Sequence, residues 1–218
     1  THLNETVKGF KEKFVNNTLK RSDITSFLEQ NEEAISIIHR NLDRAKGLVE
    51  NFKKTAADQH RLERELINLN DYYQQVSTML SPLLKRKNVE LNVDCDSMLE
   101  IVTYPGAHAQ IVTNLVNNSV MHGFKSDQKN EITINIVVLP NKLIQVDYRD
   151  NGIGIEPEIC QKIYEPFYTT ARDNGGTGLG MSIIFNILAK KLDGEITCHS
   201  ERGGAHFTYT FKNLGVES

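Results

Sequence analysis

Apolar positions in the first 60 residues follow helical spacing in two stripes. The first stripe recurs every three or four residues and fades near Asn16, and the second keeps heptad spacing with charged residues between its members. The stripes comprise Leu3, Val7, Phe10 and Phe14, then Leu28, Ile35, Ile38, Leu42, Ala45, Val49, Phe52 and Ala56. Two helices enclose only a thin core, so we predict that residues 1–60 form a hairpin that pairs with a second copy in a homodimeric four-helix bundle. The alternative is a hairpin packed on the following domain.

Beyond a polar junction at 57–70, helical and strand patterns are interspersed. Amphipathic spacing predicts helices over 69–85, from 105 onward, and from the glycines at 176–180 to about 192. Alternation predicts strands at 89–93, 99–104, 131–139, 142–148, 195–200 and 205–211, of which the first two are expected to pair with each other. This order predicts an α/β sandwich over residues 70–218, with a mixed sheet and helices on one face, so the fold class of the whole chain is α+β.

Composition and charge exclude several classes of protein. A formal net charge of −3 over 218 residues gives no reason to expect nucleic acid or an anionic membrane as partner. No apolar run approaches the roughly 20 residues of a membrane span. Cys95, Cys160 and Cys198 are odd in number and form no Cys-x-x-Cys pair, which argues against a disulfide framework or zinc site and favours a reducing compartment. The chain begins at Thr1 rather than methionine, so we expect it to be part of a longer protein.

Two glycine clusters lie at 150–154 and 175–180, where we expect the backbone to take positive φ or to approach another group closely. The second cluster runs directly into an apolar, helix-compatible segment at 181–188, whose first unpaired N–H groups would suit an anion. Neither cluster is a Walker A loop, because no lysine follows Gly178 or Gly180. Each cluster taken singly could instead be an ordinary turn.

Three polar residues of the helix that starts at 105 are candidates for metal and phosphate contacts. Asn114 and Asn118 are four apart and share one face, with His122 one turn further along. Asparagine is a poor residue for helix interiors, and its carboxamide oxygen is a suitable ligand for Mg²⁺. A solvated polar face is the alternative for the asparagines, and a cation at the helix end before Gly123 is the alternative for His122.

Asp150 follows a predicted strand and leads directly into Gly-x-Gly. Its carboxylate could accept a hydrogen bond from an exocyclic amine such as that of adenine, while the glycines would let a flat ring lie close to the backbone. A turn-initiating aspartate is the alternative. Lys125 and Arg172 are candidate neighbours of a phosphate, with ordinary surface charges as the alternative.

Four segments of the second domain carry these candidates in a specific order. They are Asn114-Leu115-Val116-Asn117-Asn118-Ser119, Asp150-Asn151-Gly152-Ile153-Gly154, Glu165-Pro166-Phe167-Tyr168-Thr169-Thr170 and Gly176-Thr177-Gly178-Leu179-Gly180-Met181. The segments resemble the N, G1, F and G2 boxes of sensor histidine kinases, in the superfamily that includes gyrase, the heat-shock chaperone ATPases and the mismatch-repair ATPases. The resemblance covers residues 70–212 and implies a Bergerat-type α/β sandwich. The helices at 1–56 resemble the dimerisation and phosphotransfer bundle of the same kinases.

The resemblance implies ATP and Mg²⁺ as ligands and gives the candidates roles. Asn114, Asn118 and His122 would contact the metal and the phosphates, with Asn118 as the metal ligand. Asp150 would bind the adenine amine, and Phe167 would anchor a mobile lid over residues 157–175. The nucleotide-binding residues would be Asp150, Gly152, Ile153, Gly154, Phe167, Thr169, Thr170, Gly176, Thr177, Gly178, Leu179 and Gly180.

The implied activity is that of an ATP:protein-histidine phosphotransferase. The γ-phosphoryl group would pass from Mg·ATP to a histidine, and from there to an aspartate in the receiver domain of a response regulator. The implied location is the cytoplasm, either free or as the cytoplasmic part of a membrane-anchored sensor. Two alternatives remain: an ATP-driven conformational switch of the same superfamily without phosphotransfer, and an interaction module that has kept only the fold.

The sequence departs from the family pattern at several positions. Met121 stands where these kinases usually carry lysine, so we expect His122 to take over that phosphate contact. Ala205 occupies a place, shortly before an aromatic residue, where a small hydroxyl-bearing residue is common. Family members use a phosphoacceptor histidine that an acidic residue follows, with Thr-Pro a few positions on, and neither His2 nor His39 has such neighbours. We therefore expect the acceptor to lie upstream of this chain.

Overall fold

The computed structural model describes residues 2–59, 63–124, 129–170, 176–201 and 203–215. The chain divides into two compact units, Thr1–Lys54 and Thr55–Ser218. The first is helical and the second combines helices with a sheet, which confirms the predicted fold class. Among the described residues, no helix combines the length and the apolar character that a membrane crossing requires.

The first unit contains two helices, α1 (His2–Val15) and α2 (Arg21–Gln59). The rings of Phe10 and Phe27 stack with their centroids 4.1 Å apart, and Lys13 forms an ion pair with Asp23 at 2.7 Å. The predicted heptad stripe lies on α2. Its described members Leu28, Ile35, Ile38 and Leu42 are all exposed, whereas the side chains of Ala45, Val49, Phe52 and Ala56 lie outside the described part of the chain. Within what is described, the first unit therefore leaves an apolar stripe facing solvent.

The second unit is built on a five-stranded mixed sheet. Its helices are α3 (Leu69–Arg86), α4 (Pro105–Asn118), α5 (Pro157–Cys160) and α6 (Gly180–Ile187). Its strands are β1 (Glu65–Asn68), β2 (Val89–Cys95), β3 (Glu100–Thr103), β4 (Asn130–Val138), β5 (Ile144–Asp150), β6 (Glu195–Glu201) and β7 (Gly204–Phe211). The strand order of the large sheet is β2-β4-β5-β7-β6, and only the β2–β4 pair is parallel. Two wider π-helical turns extend α4 over Ser119–Gly123 and α6 over Leu188–Leu192.

Two strand predictions need correction. Residues 99–104 were expected to pair with 89–93, but β3 pairs with β1, and β2 lies parallel to β4. The short strand β1 was not predicted, because Glu65–Asn68 falls in a polar stretch and has only four residues. Local alternation identifies a strand, but it does not say which of several distant strands will supply its hydrogen-bonding partner.

One face of the sheet is covered and the other is polar. The alternate residues that point to the covered face are Ile132, Ile134 and Ile136 of β4, Ile144, Val146 and Tyr148 of β5, and Phe207, Tyr209 and Phe211 of β7. They form one core with buried residues of α3, α4 and α6. The opposite face carries polar side chains such as Thr133, Asp147 and Thr208. Helices on one face are what the sequence predicts, and β5 therefore delivers its last residue to the helix side.

A buried polar network ties α3 and α4 to β3 and β7. The His108 ring lies between two hydroxyl groups, Tyr73 Oη at 3.2 Å from Nδ1 and Thr103 Oγ1 at 2.9 Å from Nε2. Tyr73 Oη also hydrogen-bonds Tyr209 Oη at 2.9 Å. Complete burial lowers the pKa of His108 from 6.5 to about 3, so the imidazole is neutral near pH 7 and both nitrogens serve in the network.

The depressed pKa of His108 makes the stability of the second unit depend on pH. The unfolded chain binds this proton more readily than the folded one, so the stabilisation is complete above the ordinary pKa of 6.5 and is lost as the pH falls toward about 3. As the pH falls through that range, protonation of His108 should lower the free energy of unfolding by up to about 1.4 kcal/mol for each pH unit. We expect His108→Gln to lack this contribution.

The measurement is urea unfolding followed by tyrosine fluorescence, since all seven tyrosines lie in the second unit and the chain has no tryptophan. His199→Gln is the matched control, because His199 is exposed on β6. The slopes of stability against pH for the native chain and His108→Gln should differ between pH 6.5 and 4. Equal slopes would show that His108 is not buried as a neutral ring.

Candidate functional site

The Asp150 carboxylate is the centre of the candidate site. The residue is the last of β5 and only 7% exposed. Its Oδ1 accepts hydrogen bonds from the backbone N–H groups of Gly152 and Ala205, each at 3.0 Å. Its Oδ2 accepts from the Ser119 hydroxyl at 2.5 Å. Donors from the π-helical extension of α4, from the turn after β5 and from β7 therefore fix the orientation of one carboxylate.

Ser119 links this carboxylate to the core. Its hydroxyl lies 2.8 Å from Tyr148 Oη, and Tyr148 is buried on the same strand as Asp150. Burial raises the pKa of Tyr148 well above its ordinary range, so the phenol keeps its proton. No sequence feature singles out Ser119 except its position directly after Asn118. Its contact with Asp150 makes it a positioning residue of the site.

Glycines allow three backbone segments to meet at Asp150. A Cβ built at Gly204 would collide with the Asp150 carbonyl oxygen, and one at Gly152 would collide with the Gly123 carbonyl oxygen. Gly204 also has φ +134°, a backbone conformation that residues other than glycine rarely adopt. A Cβ at Gly123 would lie 3.5 Å from Asp150 Oδ2, so the glycine at this position leaves room beside that oxygen.

The paired asparagines of α4 face the glycine-rich segment. A Cβ built at Gly180 would lie 3.6 Å from Asn118 Oδ1 and 3.7 Å from Asn114 Oδ1. Asn118 Nδ2 donates to Met181 Sδ at 3.3 Å, which leaves its carboxamide oxygen as the acceptor on the Gly180 side. The structure thus brings together the two features that were predicted separately, the stacked amides and the start of α6.

The segment before α6 is held by a tight backbone contact. The Phe167 N–H donates to the Gly178 carbonyl at 2.9 Å, and both residues have positive φ, +68° and +67°. A Cβ at Gly178 would lie 2.5 Å from the Phe167 carbonyl carbon, so only glycine fits here. Leu179 caps α6 without a side-chain hydrogen bond, and the first N–H groups of the helix have no side-chain cap among the described residues. These groups suit an anion.

The remaining predicted residues lie around these two centres. Ile153 and Phe167 are 58% and 54% exposed, and Gly154 has φ +78°. Thr177 Oγ1 accepts from the Leu179 N–H at 3.4 Å. Gly176 and Thr169 are half-buried and Thr170 is exposed. Lys125, Arg172 and the last residues of the predicted lid, 171–175, lie outside the described part of the chain.

His122 occupies the π-helical turn that extends α4. The spacing predicts that His122 lies on the same helix face as Asn118. Because residues Ser119–Gly123 form a wider π-helical turn, the His122 side chain is rotated away from that position. The side chain is exposed, and the protein near its ring displaces enough water to lower its pKa. A neutral imidazole near pH 7 can still donate one hydrogen bond to an anion.

Comparison with known proteins agrees with this geometry. Residues 105–214 match the family described as histidine kinase-, DNA gyrase B- and HSP90-like ATPase. Over 88% of its length the chain is 27% identical to the autoinducer 2 sensor kinase/phosphatase LuxQ of Vibrio parahaemolyticus, and over 76% it is 30% identical to the sensor kinase CckA of Brucella abortus. It spans 22% and 18% of those two proteins.

A solved structure shows the same fold. The histidine kinase ThkA, in complex with the response regulator TrrA, matches with a TM-score of 0.63 and 21% identity. The match covers 98% of this chain and 59% of that one.

The contact between Gly204 and Asp150 gives a matched pair of variants. Gly203 and Gly204 have similar strained φ values, +128° and +134°, but no described atom lies within 4 Å of a Cβ built at Gly203. We expect Gly203→Ala to cost on the order of 1–3 kcal/mol, the usual cost of such backbone strain. Gly204→Ala should cost at least about 2 kcal/mol more, because the added methyl group forces β7 away from Asp150. Urea unfolding measures both, and equal losses would contradict the close approach.

Proposed function

The chain belongs to the histidine kinase-, DNA gyrase B- and HSP90-like ATPase family, on its sensor histidine kinase branch, and from that premise we propose how its site acts. The site binds Mg·ATP between Asp150 and the start of α6, and it presents the γ-phosphoryl group to a histidine. The observation that carries the proposal is that Asp150, the two asparagines and the glycine-rich segment converge on the helix-covered side of the sheet.

Adenine recognition rests on Asp150. Oδ1 already accepts two backbone N–H groups, whereas Oδ2 accepts one hydroxyl and a carboxylate oxygen has capacity for a second donor. The absence of a side chain at Gly123 leaves space beside Oδ2 for the exocyclic amine of adenine. Ile153 would supply apolar surface for the ring, and Gly154, which has φ +78° and no side chain, would let the ring come close to the backbone.

Phosphate binding rests on the backbone from Gly176 to Gly180. The N–H groups at the start of α6 point out of the helix end, where the helix dipole favours negative charge. Two hydrogen bonds fix the backbone that leads into the helix. The Phe167 N–H donates to the Gly178 carbonyl, and the Leu179 N–H donates to Thr177 Oγ1. His122 would donate to the phosphates from the extension of α4, in the role that lysine has in related kinases.

The residues present also fit Mg²⁺. Carboxamide oxygens are suitable ligands for this ion. Among the described residues, no three His, Cys, Asp or Glu side chains form a cluster that could hold a metal. Asn118 Oδ1 faces Gly180 and would ligate the ion, with Asn114 Oδ1 next to it. When bound, the metal would supply positive charge that neutralises the negative charge developing on the phosphates during transfer. The chain's own contribution is positioning and charge stabilisation rather than covalent chemistry.

The acceptor and the partners follow from the same proposal. We infer that the phosphoryl group passes to a histidine of a dimeric helical bundle and then to the receiver domain of a response regulator, and that this occurs in the cytoplasm, where ATP is available. Within this chain His39 lies exposed on α2, and its neighbours do not match the family's phosphoacceptor pattern. The complex of ThkA with a response regulator supports the second transfer.

The nucleotide site is tested by a matched pair of variants on one strand. Asp150→Asn should weaken ADP binding by about tenfold or more, since a hydrogen bond to a buried charged acceptor contributes about 1.5–3 kcal/mol. Asp147→Asn makes the same change on β5, three residues away on the polar face, and should leave the affinity unchanged. Isothermal titration calorimetry measures both. Equal affinity in the two variants would refute the role of Asp150.

A companion variant separates the metal from the base. Asn118→Ala should remove the gain in ATP affinity that Mg²⁺ confers and leave metal-free binding intact, with Asn117→Ala as the control.

Phosphotransfer is tested separately in the full-length protein, where label from γ-labelled ATP should remain on the protein in an acid-labile form. Release of all label as free phosphate would instead support the ATP-driven conformational switch.

The dimer is tested through the exposed stripe of α2. We propose that Ile35 and Ile38, 53% and 45% exposed, pack against a second copy of this chain. The double variant Ile35→Asn/Ile38→Asn should sediment as a monomer, whereas Ser36→Asn places the same residue between them and should remain dimeric. Sedimentation equilibrium measures the mass of each, and a monomeric native chain would contradict the bundle.

A further inference from the structure

Two free thiols of the second unit lie in direct contact. Cys160 and Cys198 are 38 residues apart in sequence, yet their sulfur atoms are 2.9 Å apart. Cys160 ends α5 and Cys198 lies in β6, the edge strand of the large sheet. A disulfide needs an S–S distance of about 2.05 Å, so the sulfurs must approach by only about 0.9 Å to bond.

The surroundings of the pair are partly closed. Both cysteines are half-buried. Tyr164 lies beside them: burial raises the pKa of its phenol most, and the negative charge of Cys198 or Cys160, when ionised, raises that pKa further. The Tyr164 ring also packs at 5.9 Å from that of Phe185 on α6. Burial, followed by the contact with Cys160, raises the pKa of the Cys198 thiol. Either thiol can react first with an oxidant that reaches the half-buried pair.

We propose that Cys160 and Cys198 form a reversible disulfide that ties α5 to β6, and that this bond slows nucleotide exchange at the site proposed above. The second half of the proposal rests on the proposed function, whereas the first half does not. The oxidant is a low-molecular-weight disulfide such as oxidised glutathione.

The reaction balances in two exchanges. One of the two sulfurs, for example that of Cys160, loses its proton and attacks oxidised glutathione, which breaks the glutathione S–S bond, forms a mixed disulfide on Cys160 and releases one glutathione thiol. The Cys198 sulfur then loses its proton, attacks the Cys160 sulfur and releases the second glutathione. The two protein thiols are oxidised by two electrons and one glutathione disulfide is reduced to two thiols.

A continuous backbone path connects the pair to the nucleotide site. Short turns follow α5, with the Ile163 N–H donating to the Ile159 carbonyl and the Tyr168 N–H donating to the Glu165 carbonyl. The path ends at Phe167, whose N–H holds the Gly178 carbonyl in the segment that would bind phosphate. A bond that fixes α5 to the sheet edge restrains the near end of this path. We therefore expect the segment that carries Phe167 to open less readily for nucleotide.

The experiment uses the reduced full chain, oxidised glutathione and the fluorescent probe trinitrophenyl-ATP. Mass spectrometry of alkylated digests should show the Cys160 and Cys198 peptides joined, with Cys95 free. Release of the probe should slow by about fivefold, which corresponds to about 1 kcal/mol added to the barrier for release, and dithiothreitol should restore it. Cys160→Ser and Cys198→Ser should release the probe at one rate with or without oxidant, whereas Cys95→Ser, on β2, should behave as the native chain.

The proposal has two parts, the disulfide and its effect on nucleotide exchange, and each can be refuted separately. Failure to join the two peptides overturns the disulfide, and joining without a change in release overturns its effect on exchange. Slower release in oxidised Cys198→Ser would also overturn it, since glutathionylation alone would then suffice. If the reduced chain does not bind the probe, the proposed function fails and the exchange effect fails with it, while the peptide analysis still decides whether the disulfide forms.

Discussion

The structure of the site depends on one carboxylate held by three donors. Asp150 receives N–H groups from the turn that follows it and from β7, and a hydroxyl from the extension of α4. These contacts require Gly204 and Gly152, because a side chain at either position would collide with the backbone that it faces. Because Ser119 follows Asn118 directly, the helix that orients the carboxylate also presents the carboxamide near the start of α6. One junction therefore fixes both ends of the proposed nucleotide site.

Local patterns in the sequence predicted most of the second unit. Strict alternation of apolar residues located β4, β5 and β7, and the glycines before an apolar run located α6, because these signals depend only on neighbours in the chain. The pairing of β3 with β1 and the parallel pairing of β2 with β4 were not predicted correctly. Pairing is decided by which strands the helices bring together, and alternation within one strand carries no information about that.

Local signals also explain which residues of the candidate site the sequence could single out. Asp150, Asn118 and Gly180 stand in motifs whose residue types are unusual for their positions, so the sequence alone selected them. Ser119 carries no such signal, and its role becomes visible only when the π-helical extension of α4 lies against β5. The contact between Cys160 and Cys198 joins residues 38 apart, and no local pattern marks such a pair. The sequence thus identifies candidate ligand-binding groups more readily than the residues that hold those groups in place.

The most direct test of the account is a comparison of amide shifts in a ¹⁵N-labelled chain titrated with adenosine and with ADP. If Asp150 holds the adenine, adenosine should shift the Gly152 and Ala205 amides, which share the Asp150 carboxylate, and ADP should add shifts at Gly178 and Gly180. Shifts confined to the polar face of the sheet, or an adenosine titration that leaves Gly152 and Ala205 unmoved, would contradict the claim that Asp150 is the centre of the nucleotide site.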